Sequence, residues 1–212
     1  MSQKLFVNIL FRYIPNFISI VLHPLLMPTI GIYIILTSTG TNASLLEYHD
    51  KNFIMALVAA FTLVVPLVFV PFYYYMKITT SITITERQDR IIPLIITASL
   101  YYLCFNLFHI KEAPHIIQAF LLSCALCVGL TLLITLKWKI SAHMIAIGGI
   151  TALIFTLLYI YRIDAMFYFL IAIIFAGIIG YSRLSLNAHN PKQVYLGFFT
   201  GFFTTLLILF FY

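Results

Sequence analysis

Two short polar segments in a strongly apolar chain carry residue types that can do phosphate chemistry. Segment 139–143 reads Lys-Ile-Ser-Ala-His, and a second segment holds Ser182, Arg183, His189 and Gln193. Arginine and histidine are costly beside lipid, so they need a reason to be there. A cation can hold an anion, one histidine can act as a nucleophile and another as a proton donor. The residue types therefore predict a phosphate site.

The first segment has the pattern of a helix start. Ser141 lies where an N-cap is expected, and His143 falls in the first turn of the apolar run that follows. The free N–H groups and the positive dipole end of a helix start form a natural anion site. An ordinary cap followed by an interfacial histidine would have the same sequence, so both interpretations stand.

The second segment joins two predicted helices. Arg183 closes the earlier helix, and Pro191 suits the first position of the last helix with Asn190 as its cap. Gln193 lies one turn after His189 and can hydrogen-bond its ring, which would fix the tautomer. A plain interfacial turn is the alternative.

A third polar segment, 84–93, contains two arginines three residues apart. If Arg87 and Arg90 occupy the first turn of a helix, they share a face and can bind one phosphate together. A solvated loop with Glu–Arg pairs is equally compatible with the pattern. A third interpretation makes Glu86 and Asp89 ligands of Mg²⁺.

The elements that position these segments are predicted to be membrane-spanning helices. Only 8% of the 212 residues are charged and 63% are hydrophobic, whereas about 25% charged residues are usual in a soluble domain. Uncharged runs of about 20 residues span a bilayer as helices. We therefore expect an all-α, polytopic membrane bundle forming one domain over 1–212, with its first helix near 14–37. Seven runs qualify: 13–46, 52–76, 91–110, 113–136, 140–161, 165–182 and 193–212.

Seven spans would place all three polar segments on one face of the membrane. We name that face side A; it holds the N-terminus and 77–90, 137–141 and 182–192, and side B holds the other connections. Nine cations fall on side A: Lys4, Arg12, Lys77, Arg87, Arg90, Lys137, Lys139, Arg183 and Lys192. Side B has three, namely Lys51, Lys111 and Arg162. This bias predicts a cytoplasmic side A, although without Arg87, Arg90 and Arg183 it falls to six against three.

Other residues carry open alternatives. His23 lies well inside the first span, where it either serves function or hydrogen-bonds a carbonyl freed by Pro24 or Pro28. Gly197-x-x-x-Gly201 indicates close helix contact, within the chain or in a homodimer. The net charge of +6 favours anionic lipid headgroups as partners and not nucleic acid.

Together the segments resemble the type-2 phosphatidic acid phosphatase superfamily, whose motifs are K-x6-R-P, P-S-G-H and S-R-x5-H-x3-D. The third motif matches at Ser182, Arg183 and His189 with its spacing intact, and the second matches at Ser141 and His143. The resemblance covers about residues 84–205. The patterns H-P-L-L-M-P and E-R-x-x-R-x-I-P also resemble a membrane-protein subgroup of Bacteroidetes.

The resemblance implies a six-helix phosphatase-like core and phosphoryl transfer with no metal or other cofactor. His189 would attack phosphorus and form a phosphohistidine, while His143 protonates the leaving alkoxide. Arg183 would clamp the phosphate, helped by Ser141 and by Arg87 or Arg90. The implied substrate is a lipid phosphate or prenyl diphosphate in a bacterial inner membrane, where relatives usually face the site outward.

The chain departs from the family pattern in all three motifs, and in the second Ile140 and Ala142 stand where the family has proline and glycine. Gln193 stands where the third motif has aspartate, and the first motif is degenerate, with Arg90 three residues before Pro93 and Thr83 in place of lysine. An amide orients an imidazole but hardly stabilises its cation. In another histidine-dependent enzyme, replacing that carboxylate by an amide costs about 10⁴-fold in rate. We therefore expect a slow phosphatase or, alternatively, a non-catalytic lipid-phosphate binding or transport protein.

Overall fold

A computed structural model describes residues 13–81, 84 and 86–212. Within them, seven helices are long and apolar enough to cross a membrane, and no strand forms. This confirms the predicted all-α polytopic bundle, a multi-pass membrane protein. Lys4, Arg12, Thr83 and Thr85 lie outside the described residues. The helices are α1 Tyr13–Thr37, α2 Tyr48–Tyr75, α3 Gln88–Ile110, α4 His115–Thr135, α5 Ala142–Tyr159, α6 Met166–Ser185 and α7 Pro191–Phe211.

Helix α1 is broken where its prolines begin. The α-helix ends before His23, a 3₁₀ turn covers Pro24–Leu26, and the α-helix resumes over Met27–Thr37. Proline has no N–H to donate and its ring collides with the preceding turn, so the helix cannot run straight through. The break places His23 at the junction of two half-helices.

Helix α2 contains a π-helical turn over Ala60–Val64, which ends two residues before Pro66. Pro66 lacks the N–H that would bind the carbonyl of Thr62 four residues earlier. The hydroxyl of Tyr101 on α3 donates to that carbonyl instead, at 3.1 Å. A neighbouring helix thus satisfies the freed backbone group, as the membrane interior requires.

Helix α5 is the most enclosed span, and it packs closely on α7. A Cβ atom at Gly201 would overlap the Ile145 carbonyl, and one at Gly197 would crowd the Ser141 carbonyl. In return, a Cβ atom at Gly148 of α5 would overlap the carbonyl of Phe198. The glycine pair of α7 therefore serves contact within the chain, and it brings the start of α5 against the start of α7.

At side B, a polar group closes the other end of the bundle. His109 Nδ1 lies 2.9 Å from Gln118 Oε1 and 3.2 Å from the Tyr212 hydroxyl, which donates to the same Oε1 at 2.8 Å. Gln118 Nε2 donates to the Ala113 carbonyl at 2.5 Å. We call these four residues the C-terminal cluster, because they tie the end of α7 to the α3–α4 turn.

Candidate functional site

A cavity of about 880 Å³ lies inside the bundle, and the three polar segments meet at it. The residues come from α1, α3, α5, α6 and the connections before α5 and α7, so the shared face predicted from helix parity is present. Its polar and charged lining residues include Ser19, His23, Glu86, Arg90, Lys139, His143, Arg183 and His189.

We call the part of the cavity lined by these polar residues its polar end. Three cations lie there: Arg90, Lys139 and Arg183. Arg183 donates from Nη1 to Ser19 Oγ at 3.1 Å, while its buried Nε has no acceptor among the described residues. Burial lowers the pKa of Lys139, and so do the positive charges of Arg90 and Arg183, against the opposing effect of Glu86. One exposed carboxylate among three cations leaves an excess of positive charge, which favours an anion.

His189 is held in a defined orientation by the start of α7. Its ring is 7% exposed, and Nδ1 lies 2.9 Å from Gln193 Oε1. The same Oε1 accepts the backbone N–H of Asn190 at 3.3 Å, in a capping box with Asn190. A backbone N–H needs an acceptor, and of the two ends of an amide group only the oxygen accepts. The orientation of the Gln193 amide is therefore fixed, and Nδ1 of His189 must carry the proton. Nε2 of the neutral ring is then left with its lone pair.

The surroundings keep this imidazole neutral. Burial lowers the pKa of His189 to about 4, and the charges of Arg90, Arg183 and Lys139 act in the same direction. The hydrogen bond to Gln193 raises it and is outweighed. A neutral ring with a free Nε2 has the form that a histidine nucleophile needs.

His143 is oriented by α1. Its Nε2 lies 3.0 Å from the carbonyl oxygen of Ser19. A carbonyl can only accept, so Nε2 carries a proton and Nδ1 is the nitrogen open to a ligand. His143 and Ala142 also begin α5, where the first backbone N–H groups have no acceptor inside the helix.

Ser19 is a site residue that the sequence interpretation missed. Its carbonyl orients His143, and its hydroxyl joins Arg183 to Ser182, which lies 3.1 Å away and donates in turn to the Pro15 carbonyl at 2.6 Å. The sequence does indicate this role, because Asn16, Ser19 and His23 follow helical spacing in an otherwise apolar run. In the structure all three residues line the cavity.

Lys139 was also left out of the predicted site, although it precedes Ser141 by two residues. The connection between α4 and α5 brings it to the cavity, where the charges of Arg90 and Arg183 act on it. Its place on side A was predictable; its approach to Arg183 depends on how α6 packs.

Two predicted phosphate ligands lie elsewhere. Arg87 donates from Nη1 to the carbonyls of Thr135 at 2.9 Å and Leu136 at 2.5 Å, at the end of α4. Carbonyls at a helix C-terminus lack intrahelical donors, and the guanidinium satisfies them. Arg87 therefore does not share a phosphate-facing surface with Arg90, which lines the cavity.

Ser141 is at the predicted N-cap position, but it does not line the cavity. It is fully buried beside Gly197, and its hydroxyl makes neither a capping bond nor any other hydrogen bond with the described residues. The close packing of α5 on α7 accounts for this placement.

Asp89 and His23 make local contacts. Asp89 accepts from the N–H and hydroxyl of Thr80, at 2.7 and 2.6 Å, and so fixes the α2–α3 loop. No group of three or more His, Cys, Asp or Glu side chains among the described residues could hold a metal ion. His23 accepts from the Leu25 N–H at 3.3 Å, and among the described residues its ring makes no hydrogen bond to a backbone carbonyl.

Below the polar end the cavity lining is mainly apolar. It extends from the break in α1 to the middle of α4 and α5, and Cys124 and Cys127 face it as free thiols. The two ends together fit an amphiphile with an anionic head. Apolar lining residues include Pro66, Leu67, Tyr101, Phe120, Val128 and Ile150.

Comparison with known proteins yields no match to any family model, curated protein or solved structure. The phosphatase resemblance thus rests on Ser141, His143, Ser182, Arg183 and His189 and their spacing. The structure adds that three of these five, His143, Arg183 and His189, line one cavity.

Proposed function

We propose that this protein is a membrane phosphatase that removes phosphate from a lipid phosphate or diphosphate through a phosphohistidine. The observation that carries the proposal is the convergence of His189, with a free Nε2, and three cations at the polar end of an apolar cavity. The proposed location is the bacterial inner membrane.

In this mechanism the phosphate lies against Arg183, Arg90 and Lys139, which neutralise its non-bridging oxygens. The lone pair of His189 Nε2 forms a bond to phosphorus while the ester P–O bond breaks. His143 takes up a second proton at Nδ1 when the anionic phosphate binds beside it, and transfers that proton to the leaving oxygen. Water then attacks phosphorus, and the P–N bond to His189 breaks. A proton of that water passes to His143.

The apolar part of the cavity supports a lipid substrate. An acyl or prenyl chain gains about 0.8 kcal/mol for each CH₂ group that leaves water. A tail held among the apolar helices α2, α4 and α5 would keep the phosphate at the polar end. The substrate class is therefore an amphiphile with a terminal phosphate.

The test is phosphate release by the purified full chain in detergent, from phosphatidic acid, phosphatidylglycerol phosphate and prenyl diphosphates. Release is expected with at least one substrate, together with an acid-labile phosphoenzyme that is absent in His189→Ala. His49→Ala is the matched control, because this histidine is exposed on side B. Unchanged release by His189→Ala would refute the proposal.

A second candidate is a lipid-phosphate binding or transport protein without turnover. The specific observation in its favour is that a neutral amide, Gln193, holds the His189 ring where the related family has a carboxylate. This candidate predicts saturable binding of lipid phosphate, no phosphoenzyme, and no gain of activity when a carboxylate is restored at position 193.

A further inference from the structure

His23 is a cavity histidine that the phosphatase resemblance does not include. It caps the 3₁₀ turn that breaks α1, and its Nδ1 accepts the N–H of Leu25 at 3.3 Å. Because a backbone N–H can only donate, Nδ1 holds a lone pair and the proton of the neutral ring is on Nε2. The turn therefore fixes the tautomer of His23.

The two cavity histidines share the Nε2–H tautomer, but they leave different ring nitrogens open to a ligand. His143 has its Nε2 proton committed to the Ser19 carbonyl at 3.0 Å, which leaves Nδ1 open. Their ring centroids are 5.7 Å apart with planes at 77°, and both rings line the cavity. No hydrogen bond within the described part of the chain uses His23 Nε2. His143 Nδ1 likewise has no hydrogen-bond partner among the described residues, so both nitrogens are available to a ligand in the cavity.

The position of His23 along α1 indicates which atom of a bound lipid phosphate lies near it. Ser19 contacts Arg183 at the anion site, and His23 follows by four residues, or about 6 Å farther toward the membrane interior. The next lining residues of α1 are apolar: Pro24, Leu25, Met27 and Pro28. His23 is therefore at the junction between the phosphate end and the tail end, where a lipid phosphate has its ester oxygen.

We propose that His23 is a further catalytic residue, which donates its Nε2–H to the bridging ester oxygen and stabilises negative charge on the leaving alkoxide. The inference rests on the proposed phosphatase function. His143 transfers the proton to that oxygen as the P–O bond breaks, and His23 keeps its own. A neutral imidazole can act as such an electrophile, and a positioned donor of this kind contributes about 10²–10³-fold in kcat.

The leaving group distinguishes this role from a structural one. An alkyl phosphate such as dodecyl phosphate releases a strongly basic alkoxide, whereas p-nitrophenyl phosphate releases a phenolate that needs little stabilisation. His23→Leu should lower kcat for dodecyl phosphate by about 10²-fold and leave kcat for p-nitrophenyl phosphate nearly unchanged. His23→Asn should restore part of the loss, because asparagine caps a helical turn and retains an N–H donor.

His49→Leu serves as the control for removing a histidine, since its side chain is exposed at side B. An equal loss on both substrates would show that His23 acts only through the fold, and no loss on either would show that it is dispensable; each result overturns the proposal. If the unmodified protein releases phosphate neither from these two substrates nor from the lipid phosphates and diphosphates named above, the phosphatase function itself fails, and this role fails with it.

Discussion

The two ends of the bundle contain the same histidine–glutamine pair in different surroundings. His189 Nδ1 lies 2.9 Å from Gln193 Oε1 at side A, and His109 Nδ1 lies 2.9 Å from Gln118 Oε1 at side B. His189 lines the cavity beside three cations, whereas His109 is exposed and outside the cavity lining, with the Tyr212 hydroxyl on the same nitrogen. The glutamine therefore orients the histidine ring at both ends. Only at side A do neighbouring cations provide an anion site beside that ring.

The largest difference between the ends should appear when each histidine is removed. His189→Ala is expected to lower phosphate release on the order of 10³-fold or more, because it deletes the proposed nucleophile. His109→Ala should leave the rate within about twofold of the unmodified protein, because surroundings without an anion site do no phosphoryl transfer. Similar losses in both variants would erase the functional distinction between the ends.

Restoring a carboxylate beside each ring should raise activity at side A only. Gln193→Glu keeps the side-chain length and the capping box, and its charge can stabilise the His189 cation that forms during phosphoryl transfer. We expect kcat to increase about 10²-fold, within the roughly 10⁴-fold effect of such a carboxylate elsewhere. Gln118→Glu is the matched change at side B and should have no effect. Equal rates in all three proteins would favour the binding function.

The acid titration of His189 would sharpen the comparison further. Its pKa of about 4, against an ordinary value of 6.5, means that the unfolded chain binds more protons between these pH values. The contribution of His189 to stability is therefore complete above pH 6.5 and is lost as the pH falls toward 4. Nitrogen-15 NMR of labelled histidine should show the Nδ1–H tautomer at pH 6 and protonation near pH 4. An imidazolium signal for His189 at pH 6 would contradict this environment.

The two arginines at the start of α3, Arg87 just before it and Arg90 in its first turn, should differ in anion binding. Arg90→Gln is expected to weaken the binding of inorganic phosphate or vanadate about tenfold, because it removes a charge from the cavity. Arg87→Gln is the matched control, since Arg87 binds the last carbonyls of α4, and it should leave the affinity unchanged. Isothermal titration in detergent compares the two, and a larger effect from Arg87 would reverse the assignment.

The smallest effect is expected from the C-terminal cluster. Tyr212→Phe removes the hydroxyl that donates to Gln118 Oε1 at 2.8 Å, a change of about 1 kcal/mol in stability. Thermal unfolding in detergent should show a slightly lower Tm with an unchanged rate of phosphate release. A variant that loses activity at full stability would connect side B to the site.

Local patterns predicted a large part of this arrangement. Seven spans follow from uncharged runs because the bilayer thickness sets helix length, and alternating sides then place three polar segments on one face. The pairing of His189 with Gln193 follows from their separation of four residues at a capped helix start. These features depend on neighbours along the chain, so the sequence contains them.

Contacts between helices could not be predicted from residue spacing, because a side chain can bind any of several groups on other helices. Arg87 and Arg90 have similar sequence surroundings, yet Arg87 binds the exposed carbonyls at the end of α4 and Arg90 lines the cavity. Ser141 matches a family motif, but the glycine face of α7 covers it. Ser19 was overlooked because its value comes from Arg183 and His143, on two other helices.

The amino-acid sequence by itself determined the number of spans, the breaks at proline, the shared face and the orientation of His189, since each follows from helix geometry and local hydrogen bonding. Only the tertiary structure decided which cations reach one cavity, which motif residues are covered, and that His23 and His143 lie close together with different ring nitrogens open to a ligand. Those outcomes depend on packing and hydrogen bonds between helices, and the residues that make these contacts are far apart in the chain.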